Sequence, residues 1–140
     1  MVHHDATHKR KAADLYMLGS LAIFSFCQVS AKQLLMDHLD PSFHPSRWTG
    51  SFGDVLPYLR DAHSSMLGEL AAALPFSGPD ADAFVLAISQ LCEPDPYVRG
   101  TPRQASDARS RLDPAPYVTI FNRLALSAEL GLLGSDAESA

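Results

Sequence analysis

Two acid–histidine pairs are the first residues in this chain that could do chemistry. Asp37 stands beside His38, and Asp61-x-His63 repeats the combination further on. A carboxylate next to an imidazole can orient the ring and let it move a proton. A small helical enzyme or ligand-binding domain would gather two or more of Asp37, His38, His44, Asp61 and His63 around one polar pocket. Such pairs also decorate ordinary polar helix faces. His63 falls near the apolar stripe of its segment, where a hydrogen-bonded boundary histidine is expected.

Other chemistries lack their parts. Ser20, Ser25 and Ser30 stand in no nucleophile elbow. Cys27 and Cys92 form no CxxC or Cys/His ligand spacing, and both are expected as buried thiols in a reducing, cytoplasmic compartment. His3, His4 and His8 belong to a polar start, residues 1–8, expected to be flexible rather than metal-binding. No cofactor or metal is expected.

The elements that must position these side chains are helical. From about Lys9 to Val29 the pattern passes from polar Lys9-Arg10-Lys11 into Leu15, Tyr16, Met17, Leu18, Leu21, Ile23, Phe24 and Phe26. Apolar groups fall on nearly every face, so protein is expected all round this helix. Gly19 in its middle costs up to about 1 kcal/mol of helix propensity, which close packing should offset. A short helix follows over 30–39, then a proline- and glycine-rich loop. Leu56, Leu59, His63, Met66, Leu67, Leu70 and Leu74 recur at three and four over an amphipathic helix at 54–74, with Asp54 as its expected cap and Pro57 in its first turn. A helix over 80–92 follows, with Ser77 and Asp80 at capping-box spacing. A charged connector at 97–113 carries Arg99, Arg103, Arg109 and Arg111. The last helix starts at Asp113-Pro114, and Gly131 or Gly134 can close it. Residues 131–140 are expected to form a flexible tail. No stretch alternates as a strand does. One all-α domain of about four to five helices over residues 9–130 is the expectation.

Two stretches carry a family resemblance. Asp14-Leu15-Tyr16-Met17-Leu18-Gly19, running into Ser20-Leu21-Ala22-Ile23-Phe24, is similar to the protein-kinase segment Asp-x-Trp/Tyr-Ser-x-Gly and its apolar helix. Leu91-Cys92-Glu93-Pro94-Asp95-Pro96-Tyr97-Val98-Arg99-Gly100-Thr101 resembles the family's Cys-Leu-x-x-Asp-Pro-x-x-Arg-Pro-Thr, with Asp95, Pro96 and Arg99 in register and Gly100 where proline is usual. Their order, with two helices between and one after, resembles the helical half of a kinase C-lobe.

The resemblance implies roles. Asp14 would support the backbone of a catalytic loop. Arg99 would pair with a glutamate closing the activation segment, which the chain does not contain. Glu93, Asp95 and Asp107 are the alternative acids, and a solvated arginine is the other possibility. The family also implies a docking surface on the helix at 54–74 and the loop before it, with Phe43, Trp48, Phe52, Tyr58 and Met66 as candidate contacts. Each of these residues could instead belong to the core.

Phosphoryl transfer is positioning and electrostatics, and its instruments are absent from the sequence. It holds no Gly-x-Gly-x-x-Gly, no His-Arg-Asp, no Asp-Phe-Gly and no Walker loop. A chain of 140 residues with net charge −5 argues against nucleic acid as the main partner. Its longest apolar run, Leu15 to Cys27, is shorter than a membrane span requires. The expectation is a non-catalytic kinase C-lobe-like module acting through a protein partner, a separate kinase portion included, or the C-terminal part of a split or truncated protein kinase. The open face of the Leu15–Cys27 helix would be uncovered unless something packs on it.

Overall fold

The computed structural model describes residues 2–101 and 111–130, which form helices joined by turns and loops, with no strand among them. Among the described residues the main helices follow in order: α1 (Val2–Cys27), α2 (Ala31–His38), α3 (Phe52–Ala73), α4 (Pro79–Leu91) and α5 (Ala115–Glu129), with a 3₁₀ turn at Pro41–Phe43. The connector residues 102–110 and the tail at 131–140 lie outside the described residues. So do Arg103, Asp107, Arg109, Gly131 and Gly134.

Local chemistry starts and stops these helices. The α1–α2 turn passes through Gln28 in the left-handed region, φ 61°. Ser30 Oγ caps α2 by accepting from Gln33 N at 3.1 Å, and Ser20 Oγ on α1 accepts from Ala31 N at 2.9 Å. One hydroxyl thus starts the short helix and a second staples it to its predecessor.

Several boundaries correct the sequence reading. Helix α1 begins at Val2, not near Lys9. His8, expected in a flexible end, stacks on Tyr97 at 4.8 Å between ring centroids, and its Nε2 lies 3.1 Å from Pro96 O. A contact so distant in sequence leaves no local signal. The cap of α3 is Ser51, whose Oγ accepts from Asp54 N at 3.2 Å. Asp54 therefore sits inside the first turn, and Pro57 falls a turn later than expected. The Ser77/Asp80 capping box does not form. Gly78, at φ 77°, leads straight into Pro79 at the first helical position.

The core sits where α4 meets its neighbours. Helix α4 packs against α1, α3 and α5, while α1 also touches α2 and α3. Leu15 and Ile23 of α1, Met66 and Leu70 of α3, Ile88 and Leu91 of α4, and Tyr117 of α5 are almost fully buried. Gly19 lets α1 approach α4. A Cβ there would lie 2.5 Å from Cys92 Sγ and 3.0 Å from Leu91 Cβ. The propensity cost of the glycine is thus met by a close helix–helix approach.

Helix α1 is not surrounded. Its neighbours cover the side bearing Ala12, Leu15 and Ile23, and leave Met17, Leu21 and Phe24 respectively 59%, 63% and 51% exposed. Apolar residues around the whole circumference set what a helix could bury. They do not supply the elements that would bury it.

Candidate functional site

Arg99 is the charged residue most deeply committed to the fold. Glu93-Pro94-Asp95-Pro96 carries the chain out of α4, and Asp95 folds it into a turn. Its Oδ1 accepts from Tyr97 N at 2.9 Å, and its carbonyl accepts from Arg99 N at 3.0 Å. The turn aims the guanidinium inward, where it is only 7% exposed. Nε donates to Glu93 O at 2.8 Å, Nη1 to Ala12 O at 2.9 Å, and Nη2 makes a long contact of 3.5 Å to Pro94 O. The Tyr16 ring lies 4.9 Å from the guanidinium carbon.

Arg99 is therefore neither solvated nor held by a carboxylate hydrogen bond among the described residues. Backbone carbonyls and a π face satisfy it. Burial pulls its pKa below the ordinary arginine value, against the pull of nearby anionic groups. Burial also pushes the Tyr16 phenol up to about 12 and the Cys92 thiol up to about 12. Both stay neutral and unreactive beneath the cation. Glu93 faces the other way: Arg60 Nη2 lies 3.2 Å from its Oε1, a charge contact too poorly aligned for a hydrogen bond.

Glycine stands at position 100 for a visible reason. Its φ is +106°, and its N–H donates to Gln90 O at 3.0 Å. Proline fixes φ near −65° and has no N–H, so it fits neither requirement. A Cβ here would also collide with the Arg111 carbonyl. Arg111 in turn donates from Nε to Arg99 O at 3.1 Å.

The open side of α1 carries two adjoining grooves that share Leu18. One, of about 610 Å³, is walled by α1, Phe76, Phe84, Phe121 and Leu124 and is almost wholly apolar. The other, of about 670 Å³, lies between α1 and the start of α5 and includes Lys11, Asp14, Leu112 and Asp113. Asp14 is exposed on its rim, at the more polar end of the trough. The walls of these grooves were not legible in the sequence, because they come from segments a hundred residues apart.

The candidate contact residues separate. Phe52 and Tyr58 are exposed. Phe43 is half-buried and stacks on Tyr58 with centroids 4.0 Å apart. Trp48 folds back over Gly50 and donates from Nε1 to Ser51 O at 3.1 Å. Met66 is a correction: at 1% exposure it is core. It lies on the side of α3 that faces the interior, at helical spacing from Ala62 and Leu70, so no partner can reach it.

The acid–histidine residues are likewise dispersed. His63 is buried and its Nε2 meets Ser89 O at 3.2 Å, a boundary histidine tying α3 to α4. Burial lowers its pKa, outweighing that hydrogen bond. His44 Nε2 is bound to Met36 O and Leu39 O. Asp37 accepts from Gln33. His38 pairs with Glu69 across α2 and α3. His38 and Asp61 line one hollow of about 180 Å³. No group of three or more potential metal ligands occurs among the described residues. Cys27, expected to be buried, is only half-buried at the end of α1, where the turn to α2 leaves it partly open.

No described helix is by itself long and apolar enough to cross a membrane. The bent pair Ala6–Cys27 and Ala31–His38 has the length and composition together but turns by 78°. Comparison with protein-family models, with curated proteins and with solved structures gives no match to this chain.

Proposed function

We propose that this chain is a non-catalytic helical module of the kinase C-lobe type, working by contact with another protein over the open side of α1. The observation that carries the reading is the stripe Met17, Leu21 and Phe24, each more than half exposed on the helix that supplies Leu15 and Ile23 to the core. These residues recur at four and three, so they form one continuous apolar strip. Beside it runs the apolar groove walled by Phe76, Phe84 and Phe121. Contiguous exposed apolar surface of this kind marks a protein contact.

The kinase resemblance names the partner: the part of such a lobe that carries the catalytic loop. Support comes from Asp14, which stands exposed beside the same trough. In this reading the chain supplies a packing surface, and the phosphate chemistry belongs to the partner.

A photoreactive benzoylphenylalanine placed at Leu21 in the cell of origin tests this. The expected result is a light-dependent adduct with a polypeptide containing the missing His-Arg-Asp and Asp-Phe-Gly sequences. It should disappear in a Phe24→Asp background and be absent when the probe sits at exposed Ser64. Equal labelling from both positions, or an adduct with an unrelated polypeptide, would sink the reading.

A further inference from the structure

The hollow between the end of α2, the 3₁₀ turn and α3 combines two features that recognise the same chemistry. On α3, Tyr58, Asp61 and Ser65 follow at spacings of three and four and face one side. The turn contributes Asp40 and Phe43, and α2 contributes His38, closing a hollow of about 180 Å³. That volume suits one long side chain and not a large ligand.

The charges in it do not cancel. Asp40 Oδ1 accepts from Ser42 N at 2.9 Å and Ser42 Oγ at 2.8 Å. These hydrogen bonds, the backbone one first, hold its carboxyl below the usual carboxylate range. Asp61 has no hydrogen bond or ion pair with any described residue. His38 is already matched by Glu69. Two carboxylates therefore stand over a hollow that is also lined by two stacked rings, Phe43 on Tyr58, with Tyr58 47% exposed; Leu39, Ala62 and Ser65 complete the wall. Carboxylates and ring faces both attract a cation, and a guanidinium satisfies both at once.

We propose that this hollow receives an arginine side chain of a protein partner. The site lies on the α2–α3 edge, away from the α1 strip, and stands whether or not the α1 reading does. The occupant follows from charge complementarity. No lysine or arginine lines the hollow, while the stacked rings add an attraction that a bare acidic patch lacks.

The test is a titration of the isotopically labelled full chain, followed by NMR, with N-acetyl-arginine amide. The uncharged isostere N-acetyl-citrulline amide serves as control. Saturable shifts at Tyr58, Asp61 and Phe43 are expected with the arginine compound. With citrulline they should weaken about tenfold or vanish. Asp61→Asn, at an exposed position that leaves the fold intact, should weaken binding several-fold, as should Tyr58→Phe by less. Equal response to citrulline, undiminished binding to Asp61→Asn, or equal shifts around Asp82 on α4 would each overturn the proposal.

Discussion

The sulfur of Cys92 occupies the space that a side chain on Gly19 would need, 2.5 Å from where a Cβ would stand. This contact sets how closely α1 approaches α4. Gly19→Ala would gain about 1 kcal/mol of helix propensity in isolation. Overpacking a close helix crossing costs about 1–3 kcal/mol. The expected outcome is net destabilisation, measured by urea unfolding and largely relieved when Cys92→Ala is added. A more stable single variant would mean the two helices do not meet here.

The thiols should differ in reactivity. Burial pushes Cys92 up to about 12 and encloses it. Cys27 is raised by partial burial first and Glu69 second, yet it remains partly open. An aromatic disulfide reagent is expected to titrate one thiol per native chain quickly and the second only in denaturant. Cys27→Ser should abolish the fast phase.

Gly100 is expected to tolerate neither proline nor alanine. Gly100→Pro breaks the hydrogen bond to Gln90 O and demands a different φ. Gly100→Ala drives a methyl into the Arg111 carbonyl. Losses of about 2 kcal/mol or more are expected from either: proline adds a lost hydrogen bond to its backbone incompatibility, and alanine adds the clash to a strained positive φ. If the proline variant kept wild-type stability, the left-handed turn after Arg99 would be the wrong conformation.

His63 should make stability depend on pH in a defined direction. Burial, only partly opposed by its bond to Ser89, lowers its folded pKa below the ordinary histidine value of 6.5. Between the folded pKa and 6.5 the unfolded chain binds more protons, so stability rises with pH there. The contribution is complete above about 6.5 and falls away as acid carries the solution towards the folded pKa. Unfolding curves at pH 5 and 7.5 are expected to differ more for the native chain than for His63→Gln. An identical pH difference would assign the effect to other groups.

The exposed strip on α1 should matter for association and little for folding. Leu21→Glu replaces a side chain that is 63% exposed, so stability should change by about 0.5 kcal/mol or less. Binding of a hydrophobic dye should fall clearly. A large loss of stability would show that Leu21 belongs to the core.

Much of this fold is written locally. The three-and-four recurrence of Leu59, His63, Met66 and Leu70 needs only the pitch of a helix, and Pro79 and Gly78 punctuate the chain wherever they occur. The helices, their order and the boundary role of His63 follow from such short-range rules. The cap of α3 is ambiguous in the sequence, because Ser51 and Asp54 are both good capping residues. Only the backbone geometry shows which oxygen receives the N–H.

The candidate surfaces were less legible, since each depends on which face a neighbour covers. Phe43 and Met66 have similar apolar character, and one lies at the margin of a hollow while the other is sealed in the interior. Arg99 makes the same point. Its spacing after Asp95 and Pro96 is a feature of the sequence alone, and so is the glycine that follows. That its charge is met by the carbonyls of Ala12, Glu93 and Pro94, and not by an acid, was decided only when α1 came to lie against the turn after α4. A helix specifies its own hydrogen bonds from within, whereas a buried cation and an open apolar strip are specified by whatever the rest of the chain brings, or fails to bring, alongside.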